Sequence, residues 1–69
     1  MKIYANSDRF VRARIRKGYT QKELAELAGI SHSYISLLER SVKSVGPKVA
    51  VRLCQLLDSE LDELFVIAS

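Results

Sequence analysis

Catalysis needs groups that attack, coordinate or exchange protons at close quarters, and here such groups are few. The 69 residues contain one cysteine, Cys54, and one histidine, His32. One thiol cannot close an internal disulfide, and with one imidazole it cannot build a zinc site of Cys and His ligands. No carboxylate pair in a plausible cleft, no activated nucleophile and no phosphate-cradling loop can be read, so the residues imply no enzyme, metal, cofactor or small-molecule substrate. Positive charge is what the chain does have. Lys and Arg number 11 against 8 acids, a net of +3. All eleven lie in residues 1–52, with only Asp8, Glu23, Glu26 and Glu39 against them, a local net of +7; residues 53–69 hold Asp58, Glu60, Asp62 and Glu63 and no base, a net of −4. A basic body with an acidic end suits one surface to a polyanion and keeps another away from it. Solvated surface charge explains the same balance equally well.

The elements that must carry these groups are short. At 48% hydrophobic and 28% charged, with one Pro and three Gly, the chain reads as one folded domain over residues 1–69 with a single small core. No apolar run reaches the roughly 18–20 residues needed to cross a bilayer, and the N-terminus lacks a secretory apolar stretch. The expectation is a cytoplasmic chain with no membrane partner.

Lys2-Ile3-Tyr4-Ala5 alternates polar and apolar, which permits a short strand. Asn6 or Ser7 can cap a first helix from about Asp8 to Lys17, with Phe10 and Ala13 inward and a stop at Gly18. Thr20-Gln21-Lys22-Glu23 is a capping box, in which Thr20 and Glu23 satisfy each other's amides. It opens a second helix that turns Leu24, Ala25 and Ala28 inward and ends at Gly29. Ser31 caps a third helix, about His32 to Arg40, with Ile35 and Leu38 inside. Gly46-Pro47 starts a fourth, burying Val49 or Ala50, Leu53, Cys54 and Leu57. Ser59 or Asp58 caps a short fifth helix with Leu61, Leu64 and Phe65. Residues 65–68 can form a strand pairing with residues 2–5, or continue the helix. Cys54 reads as a buried small thiol, since no cationic cluster would activate it.

The informative stretch is Gln21 to Arg40. Two short helices crossing steeply need a small residue where their backbones meet, Ala25, and a turn tolerant of positive φ, Gly29. Ile30, Ile35 and Leu38 tie the second of them to the body and leave its outer face free. Together with Arg14, Lys17-Gly18-Tyr19-Thr20-Gln21-Lys22-Glu23-Leu24-Ala25, Ala28-Gly29-Ile30-Ser31, Ile35-Ser36 and Glu39-Arg40, and on into Leu53, Leu57 and Leu61-Asp62-Glu63-Leu64-Phe65, this pattern resembles the helix-turn-helix domains of the phage repressor family (Cro/CI-type, also called XRE). The resemblance covers about residues 8–65. It implies an all-α, five-helix bundle of the lambda-repressor-like type with a helix-turn-helix at 21–40, and sequence-specific binding of duplex DNA by the helix at about 32–40.

Carried residue by residue, the resemblance implies base contacts from His32, Ser33, Ser36 and Leu37. His32 would donate to guanine N7 or O6, and Leu37 would face outward to meet a thymine methyl. The alternative for Leu37 is a place in the core. Phosphate contacts would come from Gln21, Lys22, Tyr34, Arg40 and Lys43, with Gln21 also bracing His32. Arg9, Arg12, Arg16 and Lys17 ring the first helix and cannot all face DNA. Arg14 and Glu39 would form a structural salt bridge. Ser41 stands where relatives often end the helix with Gly, and Val45-Gly46-Pro47 departs from the usual connection.

The expected function is a Cro-like regulator of phage or mobile-element type, with no room for a further oligomerisation domain. It would bind an operator with two half-sites as a weak homodimer, or as a dimer formed on DNA, through Leu61, Phe65, Val66 and Ile67 unless the monomer's own core consumes them. The alternatives are an antitoxin or restriction-modification controller of the same fold, or a protein-interaction module that has lost DNA binding.

Overall fold

Three of the helices begin where the chain supplies a side-chain acceptor for their free amides. Asn6 accepts from the Arg9 amide at 3.2 Å, Thr20 from Glu23 at 3.0 Å and Ser31 from Tyr34 at 3.0 Å. The computed structural model describes residues 1–68, in the order β1 (Lys2–Ala5), α1 (Ser7–Arg16), α2 (Gln21–Ala28), α3 (His32–Glu39), α4 (Pro47–Leu56), α5 (Leu61–Leu64) and β2 (Phe65–Ala68). The fourth helix uses Pro47 at its first turn, where no amide bond is lost. For α5 the cap is Glu60, not Ser59 or Asp58, with the Glu63 carboxylate accepting the Glu60 amide at 2.9 Å.

The two terminal strands pair antiparallel, Lys2 with Ala68 through Ala5 with Phe65. Beyond Leu64 the chain is thus strand and not continued helix. The Val45 amide donates to Ile3 O at 2.9 Å, fastening the connection before α4 to the other edge of β1. The bundle is mostly helical, with this small sheet closing one end.

The core sits where the inward stripes of the helices converge. Phe10, Ala13, Leu24, Ala25, Ala28, Ile35, Leu38, Ala50, Leu53, Cys54, Leu57, Leu64 and Phe65 are all buried in one cluster with Ile3, Ala5 and Val45. At the fourth helix it is Ala50 that is sealed, while Val49 packs at the margin. Phe65 meets Phe10 edge to face, with centroids 5.8 Å apart and planes at 68°, a favoured aromatic geometry. Of the four residues named for a dimer contact, Phe65 is thus consumed by the monomer's own core, the alternative already open for them. Val66 and Ile67 remain about half exposed, at 56% and 49%.

Candidate nucleic-acid interface

The turn between α2 and α3 depends on Gly29, whose φ of +74° lies in the left-handed region that costs an L side chain about 1–2 kcal/mol. This turn lets α3 leave α2 at an angle with its outer face uncovered. His32 and Ser33 are exposed, and Ser36 and Leu37 are half-buried on the flank of the same helix. None of the four is sealed in the core, which takes Ile35, Leu38 and Glu39 from this helix instead. Ser33, Tyr34, Leu37 and Lys43 line one shallow hollow with Ser31. An apolar group and a cation thereby lie beside the exposed start of α3.

Beneath this face lies a polar network. Glu39 is only 2% exposed, yet both its oxygens are engaged: Arg14 Nε donates to Oε1 at 2.8 Å and Gln21 Nε2 donates to Oε2 at 2.6 Å. Arg14 also donates to Tyr19 O at 2.8 Å. The structural pairing expected of Arg14 and Glu39 is present. Gln21 Oε1 lies 3.3 Å from His32 Nε2, so the brace on His32 is present too. One buried carboxylate therefore locks α1, the start of α2 and the end of α3 together. Among the described residues no buried side-chain nitrogen or oxygen lacks a partner, so the network carries its burial without an orphaned charge.

Among the described residues, exposed Lys2, Arg9, Arg16 and Lys48 pair with no acid, and the cations nearest α2 and α3 in the chain behave in the same way. Lys22, Arg40 and Lys43 are exposed, and none of them pairs with an acid among the described residues. Arg12 pairs with Asp8 at 3.3 Å, and Lys17 with Asp58 at 2.7 Å across to the end of α4. The hydrogen bond to Asp58, and then its negative charge, raise the Lys17 ammonium above its ordinary value. These two cations of α1 and its C-cap serve the fold's surface.

Tyr34 departs from its expected role. Its phenol proton is given to Ser44 O at 2.8 Å, leaving none to donate to a phosphate, and the ring holds down the loop after α3. No sequence signal distinguishes that role, because the acceptor is a loop carbonyl. Ser41, in the place of the helix-ending glycine, adopts φ +60°, and its hydroxyl donates to Ala5 O. The left-handed geometry is thus kept without glycine, with a side-chain bond to β1. Arg52 was also invisible in the sequence: it donates to Ala28 O at 3.2 Å, capping the end of α2 from α4.

Comparison with known proteins agrees with this geometry. A model of the family described as "Helix-turn-helix" matches residues 11–64. Among solved structures, the chain is similar to the restriction-modification controller protein C.AhdI from Aeromonas hydrophila (33% identity, 83% of each chain covered, TM-score 0.74). It is similar to the clp gene regulator ClgR from C. glutamicum (33% identity, 83% of this chain and 78% of that one, TM-score 0.74). It also resembles the master regulator for biofilm formation SinR, solved in complex with DNA (32% identity, 81% of this chain and 90% of that one, TM-score 0.72). No curated protein sequence matches this chain at a significant level. The match over residues 11–64 and the shared fold place the chain in the XRE-type helix-turn-helix family of DNA-binding transcriptional regulators.

Proposed function

We propose that this chain is a sequence-specific, Cro-like repressor of phage or mobile-element type, acting in the cytoplasm as a single domain over residues 1–69. The observation that carries the reading is the uncovered face of α3, with His32 and Ser33 exposed and Ser36 and Leu37 half-buried, together with exposed Lys22, Arg40 and Lys43, which pair with no acid among the described residues. A helix is about 10–12 Å across with its side chains, and the major groove about 12 Å wide. His32, Ser33, Ser36 and Leu37 read base edges; Gln21, Lys22, Arg40 and Lys43 hold phosphates. Gln21 stands at the N-terminus of α2, where backbone amides and the helix dipole favour an anion.

The partner is duplex DNA with two half-sites about 34–36 Å apart, bound by a weak homodimer or by a dimer that forms on the operator. Leu61, Val66 and Ile67 are the apolar residues left for that contact, with Phe65 behind them in the core. The acidic end of the chain, Asp58 to Glu63, keeps this side away from the phosphates.

Likeness to C.AhdI at 33% identity favours a second reading, a controller of restriction-modification genes. Selection from a random-sequence duplex pool, with the mass of the resulting complex, tests the proposal. A recurring two-half-site motif bound by two copies is expected, and its position in the genome separates a phage operator from a restriction gene. A pool that returns no motif sinks specific readout.

A further inference from the structure

The Gln21 brace has a direction, and that direction decides what His32 can offer a base. A salt-bridged carboxylate only accepts hydrogen bonds, so the Gln21 atom 2.6 Å from Glu39 Oε2 is the amide nitrogen. The reversed amide would set two oxygens against each other at that distance. Gln21 Oε1 therefore faces His32 Nε2, 3.3 Å away. A carbonyl also only accepts, so Nε2 carries the ring proton, and in the neutral imidazole Nδ1 is a bare acceptor. Nδ1 makes no hydrogen bond within the protein among the described residues, and the side chain is exposed.

We propose that Glu39, buried beneath α3, sets through Gln21 which kind of base edge His32 reads: a groove-side donor, adenine N6 or cytosine N4, and not the acceptors N7 and O6 of guanine. The proposal rests on α3 entering the major groove. Arg14 holds Glu39, Glu39 orients Gln21, and Gln21 takes the Nε2 proton. The neutral ring then has no second proton to give to guanine, and only a donor on the base completes its bonding. Glu39 and Gln21 are positioning residues; His32 makes the contact.

The test runs at pH 8.5, well above the ordinary imidazole value. Pool selection with the wild type and with His32→Ala identifies the base pair that His32 reads. That pair is then modified in two ways. N4-methylcytosine or N6-methyladenine blocks the groove-side amino hydrogen, and a 7-deazapurine removes the N7 acceptor. Methylation is expected to weaken wild-type binding about three- to tenfold, the worth of one hydrogen bond, while the deazapurine leaves it unchanged. His32→Ala should respond to neither, and Gln21→Met, which retains both Arg14 and Glu39, should lose the difference between the two duplexes. Nitrogen-15 spectra of the His32 ring without DNA should place the proton on Nε2. The opposite sensitivity, or a proton on Nδ1, overturns the proposal and leaves α3 as the reading helix. A pool with no motif overturns both.

Discussion

Glu39 is accommodated inside the fold because two donors from two other elements meet it, and removing it would strand them. Arg14 is itself mostly buried, at 14% side-chain exposure. Breaking a buried pair by deleting one partner costs on the order of 3–5 kcal/mol, so Glu39→Ala should lower stability by about 3 kcal/mol in denaturant titration. A loss under about 1 kcal/mol, the range of surface pairs, would mean that the network is solvated in solution. At the DNA face the effects should separate by residue type. Replacing Ser33 or Leu37 with Ala should alter the motif selected from a pool, whereas Arg40→Ala and Lys43→Ala should weaken every sequence alike. Uniform weakening by Leu37→Ala would contradict its proposed contact with a thymine methyl. Cys54 belongs to the core: burial first, then Glu60 and Glu63, push its thiol above the ordinary value, so it should resist alkylation until the chain unfolds.

At the scale of elements, the caps and the turn are the sensitive points. Thr20→Ala removes the hydroxyl that accepts the Glu23 amide and should cost about 1 kcal/mol, read as a lower unfolding midpoint. The Thr20 amide, and then its hydroxyl, hold the Glu23 carboxyl below its ordinary value of 4.5. A depressed carboxyl stabilises the fold fully above its unfolded value and loses that contribution as pH falls through the folded one. Stability of the wild type should therefore decline below about pH 4.5 more steeply than that of Glu23→Gln. Equal slopes would show that the capping box does not persist in solution. Gly29→Ala meets no steric wall, since the new Cβ would lie an ordinary 3.5 Å from the Arg52 guanidinium. Its penalty comes from φ alone, about 1–2 kcal/mol.

For the whole molecule, charge separation should govern affinity. Each phosphate neutralised steepens the dependence of binding on salt by about 0.9 log units per tenfold change, so Lys43→Ala should flatten that slope by about one contact. An unchanged slope would remove Lys43 from the phosphate set. The proposed dimer would rest on a small apolar remainder, because the core has claimed Phe65. Ile67→Lys should shift complexes on a two-half-site duplex from two copies to one, as read by native mass. Two copies bound with full affinity would place the contact elsewhere.

Local rules made most of the frame readable. Thr20 with Glu23, Ser31, Gly29 and Gly46-Pro47 marked the bounds of α2, α3 and α4, since capping and turn chemistry act within four residues. The inward stripes at Leu24, Ala28, Ile35 and Leu38 followed from the 3.6-residue period alone. The pairing of Arg14 with Glu39 and the residues proposed to face DNA came from likeness to a family, not from spacing. Other choices needed the folded chain. Whether residues 65–68 formed strand or helix depended on β1, whose paired positions lie 60 to 66 residues away, offering its edge. The fate of Phe65 depended on Phe10 being there to meet it, and that of the Tyr34 proton on where the Ser44 carbonyl came to rest. A short segment encodes its own hydrogen-bonding preferences. Competition among distant partners for one proton or one patch of apolar surface is resolved only when all of them are brought together.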